Sequence, residues 1–364
     1  MKKIIAISVF VLLGLTVCGQ ADTMLKDITI ADTQDVKVTL FDTDDLFEIS
    51  LSFDINRYRK EKMSEEYLDA VLKYFVNDKD SVVKNIRVKP RGNIRRTSIC
   101  DFPPLMLNFQ MKDPENSEFT GINKLKVVTY CKLGFEDYIL REYLVYKLLN
   151  VITDYSFRVR LFKISYINTA KEKKPIMQYG FAIEPVSILE KRTGTTEIKY
   201  AGLTQRDIRP SCLDMAAIFN YMIGNTDWSV PIGHNIQLLF QPGASDSEAN
   251  LVVPYDFDYA GIVNTNYAIP FESLPIESTR QRLYMAVCRS DQTFMKTINV
   301  FVEKKEALFK VINDFPYLNP RSKKDMTMFL EGFFDLINKR NTILNYLKAD
   351  CNWFESQANL RIRK

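Results

Sequence analysis

The chain has 364 residues, with 49 Lys and Arg against 45 Asp and Glu, a formal net charge of +4, and the two signs interspersed along its length. A balance of this kind, with no basic stripe, excludes a nucleic-acid footprint. The single histidine, His234, excludes a His-rich zinc centre and leaves any Ser-His-Asp or Cys-His triad only one imidazole to use.

At the N-terminus Lys2 and Lys3 precede an apolar run from Ile4 to Val17, followed by Gly19-Gln20-Ala21. The run is shorter than the roughly 18 to 20 residues that a membrane-spanning helix needs, and small residues at 19 and 21 fit signal-peptidase cleavage. Residues 1–21 therefore read as a signal peptide and Asp22 as the first mature residue of an exported, periplasmic or cell-surface protein. A second processing fits the same leader: Leu15-Thr16-Val17-Cys18 reads as a lipobox, which would anchor the chain through Cys18. No later apolar run is long enough to span a bilayer. Loss of Lys2 and Lys3 takes the charge from +4 to +2.

From Asp35 to about Tyr130 the texture has period two, as in Phe47, Ile49, Leu51 and Phe53, in Ile86 and Val88, and in Leu105 and Leu107, which predicts strands. After Gly134 and Asp137, apolar residues from Ile139 to Leu148 recur at three- and four-residue spacing and predict one long helix. Two further strands are expected over 157–167 and 177–183. Beyond Glu184 the chain turns helical: 214–223 closes at Gly224 as a C-cap, and amphipathic runs start at Ile276, at Asp291 and over 322–347. The expected architecture is α+β, with a β-rich N-terminal lobe over 22–185 that carries one long helix, and a mainly helical C-terminal lobe over 186–364 that carries one hairpin.

With the leader removed, five cysteines remain: Cys100, Cys131, Cys212, Cys288 and Cys351. An odd number in an oxidising compartment leaves at least one thiol unpaired or used between chains. Cys100 and Cys131 flank neighbouring β-rich segments and form the preferred bridge; the alternative is that all five are small buried hydrophobes.

Gly-x-Ser-x-Gly, Gly-x-Gly-x-x-Gly and Gly-x-x-x-x-Gly-Lys-Ser/Thr motifs are all missing, which removes the hydrolase elbow, the Rossmann fingerprint and the P-loop. What remains is a carboxylate and amide cluster: Gly224-Asn225-Thr226-Asp227-Trp228, then His234-Asn235, then Tyr255-Asp256-Phe257-Asp258-Tyr259. Residues 236–240 and 251–254 predict a hairpin around a polar loop. Symmetric closure would set Phe240 opposite Leu251 and Asn235 opposite Asp256, so that an amide oxygen and a carboxylate meet at one magnesium ion.

These segments resemble the catalytic and metal-binding stretches of the CotH-type secreted spore-coat kinase family and, more distantly, HipA-type kinases. Arg91-Gly92-Asn93 followed by Phe102-Pro103-Pro104-Leu105-Met106-Leu107, the helix bearing Arg141 and Glu142, and the strand Gly180-Phe181-Ala182-Ile183-Glu184 are similar to that family in order. The resemblance implies a two-lobed protein-kinase-like fold and transfer of a phosphoryl or nucleotidyl group from ATP to a protein or envelope hydroxyl. It makes Asp227 the catalytic carboxylate, and Asn235 with Asp256 or Asp258 the ligands of Mg²⁺ or Mn²⁺. It pairs Lys126 with Glu142 at the phosphates, with Lys89 and Arg91 as rivals, and puts Glu184 in the stretch that contacts adenine. Two other readings stand beside it: a pseudokinase that serves as an assembly module at the envelope, and a glycan-binding or structural protein in which Asp227 is a turn residue and Asp256 and Asp258 a solvated strand end.

Overall fold

The computed structural model describes residues 40–77, 79–109, 117–199 and 202–362. The signal peptide and Cys18 lie outside them.

Period-two burial carries through into seven strands: β1 (Phe47–Phe53), β2 (Leu68–Phe75), β3 (Ser81–Pro90), β4 (Leu105–Asn108), β5 (Lys124–Val128), β6 (Val159–Asn168) and β7 (Ile176–Ile183). In β2, for example, Leu68, Ala70, Leu72 and Tyr74 point inward while their neighbours face out. The strands close into a barrel in the order β1-β2-β3-β4-β5-β7-β6, all antiparallel except the seam, where β1 runs parallel to β6 from Phe47 opposite Phe162 to Phe53 opposite Asn168. The interior is filled by side chains, many of them aromatic. Phe102 stacks on Tyr130 at 4.9 Å and meets Tyr166 edge-on at 4.9 Å, and Phe53 and Tyr58 pack alongside. The short helix α1 (Ile55–Lys60), N-capped by Asp54, follows β1.

The long helix, α2 (Glu136–Ile152), is buried on most of its sides, and its buried residues include Arg141 and Glu142 as well as apolar ones. It packs on the outer face of β6 and β7 and also against helices from the end of the chain. After β7 come α3 (Val186–Thr193), β8 (Thr196–Glu197) and α4 (Pro210–Ile223), which Gly224 closes in the left-handed conformation as expected. The hairpin strands are β9 (Ile236–Phe240) and β10 (Asn250–Pro254), with the short α5 (Asp246–Ala249) in their connection, and β8 adds a third strand. Residues 255–290 then run without helix or strand. The helix expected from Ile276 is therefore not formed. Helices α6 (Asp291–Glu303), α7 (Lys305–Asn313), α8 (Pro320–Ile337) and α9 (Arg340–Ile362) complete the chain, so the run over 322–347 is two helices broken at Asn338 and Lys339.

The two-lobed kinase-like architecture is not what forms. The strands make a closed seven-stranded mixed barrel, and a helical region follows it in the chain. One apolar core runs without interruption from the outer face of β6 and β7 through α2 into α4 and α6 to α9. Alternation in a strand is satisfied equally by an open sheet and by a barrel. The closing contact, β1 against β6, joins residues more than a hundred positions apart and leaves no local signature.

Cys100 and Cys131 are joined by a disulfide, as are Cys288 and Cys351, while Cys212 is a free thiol whose pKa burial pushes up to about 11. The first bridge closes a segment of 31 residues around β4 and β5, and loop entropy gives it roughly 3–4 kcal/mol. A Cys100→Ser, Cys131→Ser double variant is expected to lose about that much stability in non-reducing urea titrations.

Candidate functional site

Side chains from six places meet beside the ends of the hairpin: Arg91 and Arg95 after β3, Lys126 on β5, Glu142 and Tyr146 on α2, Asp227 after α4, His234 and Asn235 before β9, and Asp256 and Asp258 after β10. The hairpin register explains part of this. Asn250 pairs with Phe240 and Pro254 with Ile236, one residue off symmetric closure, with α5 occupying four residues of the connection. Asn235 therefore faces Tyr255, whose N–H donates to the Asn235 carbonyl at 3.0 Å, and not Asp256 as expected from the sequence. Both exits of the hairpin then bend through left-handed residues, Asn235 at φ +50° and Asp256 at φ +61°. That conformation is uncommon and costly for an aspartate, so the surroundings must hold it. The Asp256 N–H is held at 2.9 Å by the hydroxyl of the buried Tyr146.

Asp227 is gripped on both carboxylate oxygens. His234 Nε2 lies 2.7 Å from Oδ1, and the Asn235 amide nitrogen donates to Oδ2 and to the Asp227 carbonyl, each at 2.9 Å. Its backbone N–H is taken by the Asn225 side chain at 3.1 Å, so Asn-Thr-Asp is an Asx turn that aims the carboxylate. Two glycines bring this turn against the Asp256–Asp258 strand end. Gly261 N–H donates to the Gly224 carbonyl at 2.9 Å, and a Cβ on Gly261 would lie 2.2 Å from the Thr279 carbonyl oxygen.

Arg95, which no sequence motif singles out, lies at the centre. Its Nε donates to Asp258 Oδ2 at 2.8 Å and its Nη2 to Glu142 Oε2 at 2.5 Å, with all three residues buried. The expected Lys126–Glu142 pair is thus replaced by Arg95–Glu142. Nothing in Arg91-Gly92-Asn93-Ile94-Arg95-Arg96 separates the inward arginine from its neighbours, because a π-helical turn over Arg95–Ile99 sets its direction. Burial pushes the Glu142 carboxyl up to about 8; Arg95 opposes the shift, and Asp258 and Asp256 add to it. Glu142 Oε1 is buried with no hydrogen-bond partner among the described residues. Dehydration likewise pushes the Asp256 carboxyl up, helped by Asp258 and resisted by Arg95 and Arg91.

Two cations, Arg91 and Lys126, face this acidic group. Among the described residues neither the Arg91 guanidinium nor the Lys126 ammonium has an ion pair or hydrogen bond. Lys126 Nζ lies 5.6 Å from the centre of the Tyr255 ring, and burial followed by repulsion from Arg91 lowers its pKa. The Asp256 carboxylate and the Asn235 Oδ1 also accept no hydrogen bond from described residues. No three His, Cys, Asp or Glu side chains among the described residues lie at metal-ligand spacing. A magnesium ion here would rest on one or two carboxylates, an amide oxygen and the oxygens of its own ligand, which is its ordinary habit. The donor chemistry of Asp256, Asn235 and Asp258 fits that habit.

The remaining expected residues sit elsewhere. Glu184 spends both oxygens on Arg192, at 3.1 and 2.9 Å, and one of them also on the Arg158 N–H at 3.0 Å, tying the end of β7 to α3. Lys89 pairs with Glu65 at 2.7 Å. The chain matches no protein-family model, and no curated protein matches it.

Two measurements test this geometry. As the only histidine, His234 gives a single imidazole titration by NMR. Asp227 raises its pKa above the ordinary value of about 6.5. The contribution of this contact to stability is therefore full below that value and fades as pH rises through the folded-state pKa; Asp227→Asn is expected to bring the titration back down. Gly261→Ala is expected to cost about 1–3 kcal/mol in thermal unfolding, because the Thr279 backbone must move.

Proposed function

We propose that this chain is an exported transferase that uses Mg²⁺, with Mn²⁺ as an alternative, to move a phosphoryl or nucleotidyl group from ATP to a hydroxyl of a protein or envelope component. The observation that carries this reading is the pairing of two unmet needs at one place. Among the described residues Arg91 and Lys126 bond no anion, while Asp256, which feels both charges, Asn235 Oδ1 and Glu142 Oε1 bond no cation. A metal-bound polyphosphate supplies both at once. The resemblance of the local motifs to CotH-type kinases supports the same chemistry, although the barrel architecture gives it no support.

In this reading Arg91 and Lys126 bind phosphate oxygens, and Asn235 and Asp256, with Asp258 behind them, hold the cation. When bound, the cation neutralises charge that builds up on the transferring group. Asp227 takes the proton of the attacking hydroxyl as the new O–P bond forms and the bond to the leaving phosphate breaks. His234 and Asn235 keep its carboxylate in one orientation. A second reading, a nucleotide- or anion-binding module without turnover, is favoured by the fact that both Asp227 oxygens already accept bonds.

Thermal unfolding with and without MgATP separates the possibilities. A ligand at about a hundredfold excess over its Kd adds about 2.7 kcal/mol to the folded state. The expected result is a magnesium-dependent rise in midpoint that Asp256→Ala abolishes. Asp227→Asn is expected to keep that rise while losing roughly 10²–10⁴-fold in transfer rate. A rise with no transfer by wild-type protein would favour the binding module, and no rise at millimolar MgATP would end the nucleotide reading.

A further inference from the structure

We propose that Arg95 is the positioning residue of the cation end of this site, an inference that rests on the reading above. Its guanidinium fork spans two carboxylates on separate elements, Glu142 on α2 and Asp258 after β10. Asp258 Oδ2 takes both Arg95 Nε and the Tyr267 hydroxyl, the latter at 3.1 Å, and Glu142 Oε2 takes Arg95 Nη2. Asp258 Oδ1 and Glu142 Oε1 are left without partners among the described residues, and Glu142 Oε1 is fully buried. Arg95 thus decides which edge of each carboxylate is free.

Those free edges are the oxygens that Arg95 leaves for a cation. Among the described residues Arg95 is the only cation that bonds Glu142 or Asp258, and none bonds the Asp256 carboxylate. An excess of buried negative charge is costly unless a proton or a metal ion meets it.

The segment that presents Arg95 is braced from behind. Arg95 opens the π-helical turn, the Cys100 N–H closes it on the Arg95 carbonyl at 2.8 Å, and the Cys100–Cys131 disulfide fastens that turn to the residues before α2. π-turns are uncommon and occur frequently at functional sites. A lysine offers the same charge but no planar fork, so it cannot hold both carboxylates in the same way.

The test uses Mn²⁺ as the probe, with unbound ion counted by electron paramagnetic resonance in the disulfide-intact protein and Mg²⁺ as competitor. Arg95→Lys is expected to unfold cooperatively yet bind Mn²⁺ at least tenfold more weakly, the usual scale for losing a group that orients ligands. Should Arg95→Lys fail to fold, Arg95→Met/Glu142→Gln removes both charges together and is compared with Glu142→Gln alone, with the same weakening expected. A folded variant whose Mn²⁺ affinity stays within about twofold of its reference would overturn the positioning role and leave Arg95 a structural counter-ion. Wild-type protein that binds no Mn²⁺ would remove the metal reading itself, and this inference with it.

Discussion

A buried arginine shared between two buried carboxylates is the interaction on which the rest of this site depends. Removing ions from water is costly, and a guanidinium recovers that cost only when its donors meet well-placed acceptors. Arg95 does so by bonding Glu142 and Asp258 at once. Because Glu142 belongs to the helix packed on the barrel and Asp258 to the strand end of the hairpin, one side chain ties together parts of the chain far apart in sequence.

The helix α2 gives that tie its rigidity. Its apolar residues are buried against the outer face of the barrel and against the C-terminal helices. Arg141, the residue before Glu142, reaches Asp325 at 2.7 Å and Ser322 at 2.8 Å on α8, and Tyr146 one turn further along supports the left-handed Asp256. Glu142 therefore cannot shift without disturbing the core. Asp256 is thus held, through Tyr146, by a helix anchored on both sides.

Several parts of the site were legible in the chain itself. The Asn-Thr-Asp turn, the hairpin and the doubled aspartates stood out because few other chemistries survive in a protein with one histidine. The pairing register did not, since the four-residue α5 in the connection cannot be inferred from the polarity of residues 241–250. The left-handed Asn235 and Asp256 then re-aimed both side chains. The resemblance pairs Glu142 with Lys126, whereas its bonded partner is Arg95. A π-helical turn rotates Arg95 inward, and no pattern of period two or 3.6 reveals that.

The sequence by itself determined that the first half is strand-rich around one long helix, that a hairpin lies in the second half, and that a helix stops at Gly224, because these follow from local backbone preference and side-chain periodicity. Only the tertiary structure decided that the strands close into a barrel, that one core joins that barrel to the helices, and that Arg95 stands between Glu142 and Asp258. Those outcomes rest on contacts between residues distant in the chain, and each is chosen by packing and charge balance in three dimensions, where neighbouring residues have no say.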